Sequence, residues 1–284
     1  MKPFISVKDA FELSQKAQNV LFIDTRHNIY DLEQGKKAYE ENHIPGAIFL
    51  DLHDELAGQR SDKTGRHPLP SIDSFRNVLA RNGITKNLHV ICYDDVSGGY
   101  TARLWFMLYS LGYDNVQILE GGITKWIEEN HPVTSEKTFS IHKFADIDIP
   151  DDWSKGRIKI VNFDQVNELV SQGFTGLIDA RDSDRFRGED TGPDPVGGHI
   201  PGASNRWWKA NIADSGLLRD RKELKNEFDL LLTTTKPEDA VLYCGSGVTA
   251  CFNLAIMKEL NYPEAKVYIG SFSDLIKHSE NVEI

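Results

Sequence analysis

The sequence predicts an α/β fold of two tandem domains, each with a mainly parallel sheet and helices on both faces. Three observations lead to this prediction. The chain has 284 residues, which is long for one hydrophobic core but suits two. Short apolar runs alternate with segments of helical period, a pattern typical of parallel sheets covered by helices. Motifs of the first half also recur in the same order in the second half, which indicates a duplicated domain.

The apolar runs predict buried strands, and the periodic segments predict the helices between them. The predicted strands are Val20–Ile23, Val90–Tyr93, Leu177–Ala180 and Val241–Tyr243. The predicted helices are Val7–Ala17, Ser74–Asn82, Thr101–Leu111, Phe163–Ser171, Glu223–Leu231 and Thr249–Leu260.

Three pairs of matching motifs define the duplication. The pairs are "FIDTR" at 22–26 with "LIDAR" at 177–181, "NHIPGAIFLD" at 42–51 with "GHIPGASNRW" at 198–207, and the segments 90–122 and 241–271. We therefore predict a first domain over residues 1–133 and a second over residues 159–284. The stretch 134–158 is predicted to be a linker, because it is polar, carries Pro150 and breaks the periodicity.

The composition argues against nucleic acid and membranes as partners. The formal net charge is −11 and no long basic run is present, so an anionic surface would repel the chain. The amino-terminal segment lacks the apolar core of a signal peptide, and no segment suits a membrane span. Three cysteines do not make a disulfide framework in a chain of this length. We therefore expect a cytoplasmic protein with free thiols.

One cysteine lies on a glycine-rich turn, in "YCGSGVTA". Cys244 follows a predicted strand and precedes a predicted helix, and ligands of parallel α/β sheets bind at such strand ends. The helix start offers free N–H groups, and Gly245 and Gly247 let the backbone curl so that amides point inward. This setting favours a thiolate, the nucleophilic form of cysteine. The alternative is a small buried hydrophobic residue, which is the interpretation given to Cys92 and Cys251.

The two halves differ at this turn. The position that matches Cys244 in the first half holds Asp94, so the scaffold itself does not require a cysteine. We therefore expect one active half and one structural half. A cysteine phosphatase would need an arginine six positions after the cysteine to clamp the phosphoryl oxygens, and Ala250 occupies that position. The sequence thus argues against phosphatase chemistry.

The sequence resembles the tandem-domain rhodaneses, a family of sulfurtransferases. The resemblance covers nearly the whole chain and rests on the paired "HIPGA" turns, "DTR" and "DAR", "RFRG", "EGGITKW" and the loop "CGSGVT". It implies two rhodanese-like domains, of which the first is inactive and carries Asp94 at the cysteine position. It also implies that Cys244 takes sulfur from a small anionic donor as a persulfide. The acceptor would be a thiol, such as thioredoxin or glutathione, or cyanide.

The loop also indicates the donor. Family members that prefer thiosulfate have two basic residues after the cysteine, where this chain has Gly245 and Ser246. The loop "CGSGVT" is similar to that of 3-mercaptopyruvate sulfurtransferases, and a neutral loop with a hydroxyl suits a carbonyl-bearing monoanion. The favoured donor is therefore 3-mercaptopyruvate, with thiosulfate as the alternative. A persulfide carrier for one dedicated protein partner is an alternative from another class.

The resemblance implies roles for residues outside the loop. Arg185, the first arginine of "RFRG", matches a position that binds the donor's anionic group, a task that suits a guanidinium. Arg187 either lines the pocket or faces solvent, and Arg181 is expected to pair with a carboxylate inside its domain. His67 matches a histidine of mercaptopyruvate enzymes that, with Ser246, would protonate the departing enolate. A surface histidine is the alternative for His67.

The loop backbone and the turn histidines complete the predicted site. The amides expected to hold the thiolate and the persulfide anion include those of Gly245, Gly247, Val248 and Thr249. His43 and His199 of the "HIPGA" turns are expected to organise those turns, because both halves keep them. No metal site and no cofactor is predicted, since neither ligand spacing nor a dinucleotide fingerprint is present.

Three features depart from the family pattern. His53 stands where mercaptopyruvate enzymes have the aspartate of an Asp–His–Ser arrangement. Asp194 lies near the place of a second donor-binding arginine. "YIGSFSDLI" replaces a more aromatic segment, so Ile269, Phe272 and Leu275 are expected to change the packing behind the loop.

Overall fold

The structure, a computed structural model, describes residues 1–138 and 145–278, which form two compact units. The first unit comprises Met1–Gly58, Pro70–Arg157 and Asp214–Leu217; the second comprises Gln59–Leu69, Ile158–Ala213 and the described residues from Leu218 onward. Residues 139–144 of the predicted linker and 279–284 of the predicted second domain lie outside the described residues. The domain boundaries drawn from the sequence stay a prediction.

The first unit contains one sheet of five parallel strands. The strands are β1 (Phe4–Ile5), β2 (Val20–Asp24), β3 (Ile48–Phe49), β4 (His89–Tyr93) and β5 (Val116–Leu119). Their order across the sheet is β1-β5-β4-β2-β3. The helices are α1 (Val7–Lys16), α2 (Gln34–Glu41), α3 (Ile72–Arg81), α4 (Ala102–Ser110) and α5 (Gly122–Glu128). A 3₁₀ turn follows at Trp153–Lys155.

The second unit repeats this arrangement. Its strands are β6 (Ile160–Val161), β7 (Leu177–Asp179), β8 (Ser204–Asn205), β9 (Val241–Tyr243) and β10 (Lys266–Tyr268). Its helices are α6 (Phe163–Ser171), α7 (Ser183–Phe186), α8 (Arg221–Leu231), α9 (Ala250–Glu259) and α10 (Ser271–His278). Two 3₁₀ turns lie at Trp208–Asn211 and Pro237–Asp239. The strand order is β6-β10-β9-β7-β8, and every pairing is parallel.

The two sheets therefore share one topology, with each strand of the first replaced by its duplicate in the second. Crossover connections between parallel strands are right-handed, so connections that run in opposite directions place their helices on opposite faces. In each unit the first two connections move across the sheet in one direction, and the connections after the third strand move back. This reversal puts helices on both faces of the sheet. The predicted fold class is confirmed. None of the described helices is long and apolar enough to cross a membrane.

The predicted elements are present, with ends that differ by at most two residues. The third helix shows why such ends shift. It begins at Ile72 instead of Ser74, because the Ser71 side chain accepts a hydrogen bond from the N–H of Ser74 at 3.1 Å and so caps the helix. Six strands of two to four residues, β1, β3, β5, β6, β8 and β10, are not among the predicted elements. The helices α2, α5, α7 and α10 are also not among them, because they are too short to display a clear period.

The histidines of the two "HIPGA" turns hold equivalent positions. His43 Nδ1 lies 2.7 Å from the carbonyl oxygen of Tyr39, and the two rings stack with centroids 4.0 Å apart. His199 Nδ1 lies 2.8 Å from the carbonyl oxygen of Phe186, and these rings stack at 3.8 Å. Each histidine thus ties its turn to the preceding segment, as the sequence comparison predicts.

A buried ion pair follows the strand in each "DTR" or "DAR" motif. Arg26 Nη2 lies 2.7 Å from Asp24 Oδ2, and Arg181 Nη2 lies 2.6 Å from Asp179 Oδ2. The Arg181 guanidinium also covers the ring of Phe272, with 3.8 Å to the ring centre. Arg181 therefore pairs with a carboxylate inside its own domain, as expected. Breaking such a pair is costly, because it leaves an uncompensated buried charge.

We expect Arg181→Met to lower the free energy of unfolding by about 3 to 5 kcal/mol, since Asp179 would stay buried without its cation. The urea midpoint of the tryptophan fluorescence transition measures this loss. Arg187→Met is the matched control, because its partners Asp184 and Glu189 are exposed, and we expect it to leave the midpoint almost unchanged. Equal midpoints for the two variants would contradict a stabilising role for the buried pair.

Candidate active site

The loop that carries Cys244 joins the end of β9 to the start of α9. Cys244 itself is 1% exposed. Gly247 has φ of +76°, a region that glycine adopts without strain, and a Cβ atom there would overlap the carbonyl oxygen of Ile269. A Cβ atom at Gly245 would lie 2.8 and 3.0 Å from two arginine side chains. One glycine is therefore required for its conformation, and the other leaves space for guanidinium groups.

The thiol of Cys244 is held by hydrogen-bond donors of its own loop. The N–H of Gly247 donates to Sγ at 3.1 Å. Burial raises the pKa of this thiol, but the Thr249 hydroxyl and three backbone N–H groups lower it further than burial raises it. These N–H groups belong to Ser246, Gly247 and Ala250. The pKa of Cys244 therefore lies below its ordinary value, as the helix-start position predicts.

The other cysteines have structural surroundings. Burial raises the pKa of Cys92 to about 12, and its Sγ lies 3.2 Å from the carbonyl oxygen of Gln117. Cys251 lies inside α9, where its N–H donates to the carbonyl oxygen of Val248 at 3.1 Å. The three cysteines lie within the described residues, and none of them forms a disulfide. The carbonyl group of the buried Val248 thus takes part in the start of α9. The roles of Val248 and Gly245 in donor binding stay predictions.

The first unit fills the corresponding loop with a carboxylate. The buried side chain of Asp94 accepts four hydrogen bonds from backbone N–H groups at 2.7 to 3.0 Å. The donors are Val96, Gly98, Tyr100 and Thr101. Helix α4 begins eight residues after Asp94, whereas α9 begins six residues after Cys244. The longer loop therefore closes around the Asp94 carboxylate.

Ser271, which follows the neighbouring strand β10, fixes the backbone of Cys244. It has φ of +56°, an uncommon value for a residue with a side chain. Its Oγ accepts a hydrogen bond from the N–H of Cys244 at 3.1 Å and donates to the carbonyl oxygen of Tyr268 at 2.8 Å. The N–H of Phe272 then donates to the carbonyl oxygen of Cys244 at 3.0 Å. The predicted involvement of this segment in packing behind the loop agrees with the burial of Ile269 and Phe272.

The segment Gln59–Leu69 belongs to the second unit and carries two site residues to the loop. The N–H of Arg66 donates to Ser273 Oγ at 2.9 Å. Lys277 donates to two carbonyl groups of the segment, at 2.9 and 2.7 Å. Helix α10 therefore holds the segment in place beside the cysteine loop.

His67 and Ser246, to which the resemblance assigns proton transfer, lie in contact. Nδ1 of His67 lies 2.8 Å from Oγ of Ser246, and the two residues are 6% and 8% exposed. The alternative of a surface histidine is thus excluded by its burial. His53 belongs to the first unit, where its ring packs edge-on against His27 with centroids 4.9 Å apart. Burial lowers the pKa of His27 to about 4, so this ring is neutral at neutral pH.

Asp194 bridges two arginines at the loop. Its Oδ1 binds Nη1 of Arg66, and its Oδ2 lies 2.7 Å from Nη2 of Arg185. The Asp194 side chain is 1% exposed, and those of the arginines are 17% and 16% exposed. Nη2 of each arginine is also the group that a Cβ atom at Gly245 would meet. Arg185 therefore stands beside the cysteine loop together with Arg66, and donor binding by Arg185 stays a prediction.

Arg187 points to a different environment. Its side chain is 50% exposed, and Nη2 lies 2.6 Å from Asp184 Oδ1 and 2.8 Å from Glu189 Oε2. These exposed ion pairs favour the solvent-facing alternative over a place in the donor pocket.

Three residues of the site are not revealed by the sequence patterns. Arg66 precedes His67 in "GRHPLPS", and this neighbour is the signal that could have found it. Asp194 is noticeable in the sequence only because it departs from the family pattern. No local pattern pairs it with an arginine 128 residues away. For Ser271 the signal that could have found it is the internal repeat, because Gly122 stands at the matching turn of the first copy and both residues have positive φ.

The family of the chain follows from comparison with known proteins. The family model described as "Rhodanese-like domain" matches residues 7–129 and 162–278. The chain belongs to the rhodanese family and carries two copies of its domain in tandem.

Individual relatives add the class of enzyme. The chain is 35% identical over 260 residues to a Pseudomonas aeruginosa protein named "Probable 3-mercaptopyruvate sulfurtransferase", covering 91% of this chain and 89% of that protein. It is 31% identical over 252 residues to a thiosulfate sulfurtransferase of Cricetulus griseus, covering 85% and 80%. The solved 3-mercaptopyruvate sulfurtransferase from Leishmania major has a TM-score of 0.82 at 28% identity, covering 96% of this chain and 73% of that one. The predicted family and enzyme class, a sulfurtransferase, are confirmed.

We expect iodoacetamide to alkylate Cys244 with a half-maximal rate at a lower pH than it alkylates free cysteine, because the lowered pKa yields thiolate earlier as pH rises. Thr249→Val removes a hydrogen-bond donor to the thiolate, so its midpoint should move to higher pH. Mass spectrometry of the modified peptide measures the rates. Thr234→Val, on an exposed position, is the control, and a Thr249→Val midpoint equal to that of the control would contradict the role of the hydroxyl.

Proposed function

We propose that the protein transfers sulfur from 3-mercaptopyruvate, through a persulfide on Cys244, to a thiol acceptor or to cyanide. The observation that carries this proposal is the 2.8 Å contact between Ser246 Oγ and His67 Nδ1 beside a thiol whose pKa is lowered. A hydroxyl and a titratable ring suit a donor whose leaving group must take up a proton. The name of the Pseudomonas aeruginosa relative supports the same donor.

The first step moves sulfur onto the enzyme. The Cys244 thiolate attacks the sulfur of 3-mercaptopyruvate, an S–S bond forms, and the C–S bond of the donor breaks. The electron pair of that bond stays on carbon as the enolate of pyruvate. The proton of the donor thiol ends on this carbon, so the step yields pyruvate and a persulfide anion without an external oxidant or acid.

Ser246 and His67 can carry that proton. Their contact is short enough for a hydrogen bond, and their burial keeps bulk water from competing with the transfer. The imidazole can accept a proton from the donor thiol, and the serine hydroxyl can pass one to the enolate. The loop N–H groups that lower the pKa of Cys244 would then hold the charge of the persulfide.

The second step restores the enzyme. The acceptor attacks the outer sulfur of the persulfide, the S–S bond breaks, and its electron pair returns to Cys244 as thiolate. Cyanide leaves as thiocyanate, and a thiol leaves as its own persulfide. Thioredoxin and glutathione as acceptors, and a cytoplasmic location, are expectations from the sequence.

Thiosulfate is the second candidate donor. The two guanidinium groups beside Gly245 favour it, because they provide positive charge for the sulfonate end of the donor. The persulfide step would be the same, with sulfite as the leaving group. Sulfite needs no proton to leave, so this donor would make no use of Ser246 and His67.

We expect wild-type enzyme to form thiocyanate from cyanide with a larger kcat/KM for 3-mercaptopyruvate than for thiosulfate. Cys244→Ser should abolish both activities, because it removes the atom that bears the sulfur, whereas Cys251→Ala should keep them. Intact-protein mass spectrometry after incubation with donor should find one added sulfur atom in wild type alone. A preference for thiosulfate would reverse the assignment of donor. Sulfur loading without turnover of either donor would instead indicate a carrier.

We expect Ser246→Ala to lower kcat with 3-mercaptopyruvate by about 100-fold, a typical contribution of positioned acid–base catalysis. His67→Asn should act in the same direction. Both variants should keep most of their activity with thiosulfate, because sulfite leaves without a proton. Ser215→Ala, on an exposed position, is the control. An equal loss with both donors would contradict the proton-transfer role and indicate a structural one.

A further inference from the structure

We propose that Arg66, Asp194 and Arg185 form a donor clamp whose net charge of +1 selects singly charged donors over doubly charged ones. Asp194 would be the residue that determines this specificity, and Arg66 a second donor-binding arginine. The inference deepens the proposed function and rests on it, because it concerns the same site and its sulfur donor.

The geometry makes the three residues one unit. Each oxygen of the Asp194 carboxylate binds a different guanidinium, Nη1 of Arg66 and Nη2 of Arg185. The carboxylate is almost fully buried, whereas each guanidinium keeps part of its surface exposed. Nη2 of Arg66 lies on the side of Gly245, 2.8 Å from the place of a Cβ atom, and makes no part of the Asp194 contact. This N–H group can therefore donate to an anion that binds beside the guanidinium groups at Gly245.

The backbone holds the clamp where the donor must lie. Arg66 is fixed by the bond from its N–H to Ser273 Oγ at 2.9 Å, and the N–H of Ser273 donates to the carbonyl oxygen of Gly245 at 3.0 Å. Gly245 directly follows Cys244 in the chain. An anion bound by the clamp is thus placed next to the attacking thiolate.

The charges in the clamp do not cancel. Burial and the neighbouring charge of Arg185 lower the pKa of Arg66 to about 10, which leaves it protonated at neutral pH. Arg185 is likewise protonated, since a guanidinium does not lose its proton in proteins. Two positive charges and the Asp194 carboxylate leave one unit of positive charge. Two further arginines act on Arg66: Arg60, which is exposed and lies outside the clamp, and Arg181, which is balanced by its own partner Asp179.

This net charge matches one class of donor. A 2-oxo carboxylate with a thiol, such as 3-mercaptopyruvate, carries one negative charge at neutral pH, whereas thiosulfate carries two. The fixed carboxylate of Asp194 repels the second charge of a dianion at short range. It therefore lowers the affinity of the site for doubly charged donors, which is a form of selection against the wrong donor. The bridge also keeps the two like-charged guanidinium groups together when no donor is bound.

The experiment changes the clamp charge by one unit in each direction. Asp194→Asn raises it to +2 at constant shape, and Arg66→Gln lowers it to zero. The readout is the ratio of kcat/KM for thiosulfate to that for 3-mercaptopyruvate, with cyanide as acceptor. We expect the ratio to rise about tenfold in Asp194→Asn and to fall by a similar factor in Arg66→Gln. Asp190→Asn, which removes an exposed carboxylate four residues away, should leave the ratio unchanged.

Asp194→Glu separates charge from shape, because it keeps the charge and lengthens the side chain. The proposal requires its ratio to stay closer to wild type than that of Asp194→Asn. Ratios that move in the same direction in Asp194→Asn and Arg66→Gln, or that do not move in either, would overturn it. Thermal melting checks that each variant is folded, and Arg66→Gln alone remains a sufficient test if Asp194→Asn does not fold.

A binding measurement distinguishes failure of this inference from failure of the proposed function. In the Cys244→Ser background, calorimetric titration compares pyruvate, a monoanion, with sulfate, a dianion. We expect Asp194→Asn to shift relative affinity towards sulfate even if wild type turned over neither donor. Turnover of 3-mercaptopyruvate by wild type, with no shift in either ratio, would overturn the clamp and leave the sulfurtransferase assignment intact.

Discussion

The structure depends on one constraint at the central strand-to-helix turn of each unit. The backbone N–H groups of this turn need a negatively charged acceptor. These groups point inward in both units, where the sheet and the helix start exclude water. Asp94 meets the need in the first unit with a carboxylate that accepts four N–H groups. Cys244 meets it in the second unit with sulfur. The same scaffold therefore binds a carboxylate in one copy and a thiol with a lowered pKa in the other.

The balance between burial and hydrogen bonding differs between the two copies. In Asp94 burial outweighs the N–H groups, and the pKa of the carboxyl is raised. In Cys244 the donors outweigh burial, and the pKa of the thiol is lowered. For a nucleophile this second outcome is useful, because it supplies thiolate without exposing the sulfur to solvent. The positive φ of Gly247 and of Ser271 gives the backbone the shape that this balance requires.

The short segment Gln59–Leu69 adds the groups that a bare cysteine loop lacks. It supplies an imidazole in His67 and a guanidinium in Arg66, and helix α10 holds the segment beside the loop. The proposed chemistry and donor recognition thus depend on a segment distant in sequence from Cys244. Asp194 then sets the local charge by pairing with arginines on either side.

The sequence by itself determined the duplicated α/β fold, because the fold depends on local periodicity and on matches between two halves of one chain. The same matches predict a single reactive cysteine and an inactive first copy. The sequence also pointed to His67 and Arg185 through a family resemblance. Only the tertiary structure decided that Arg66 and Asp194 share the site and that Arg187 faces solvent. The physical reason is that such side chains meet across long sequence separations, such as the 128 residues from Arg66 to Asp194. Local patterns encode strands, helices and turns, whereas the pairing of distant charges is fixed only when the chain packs.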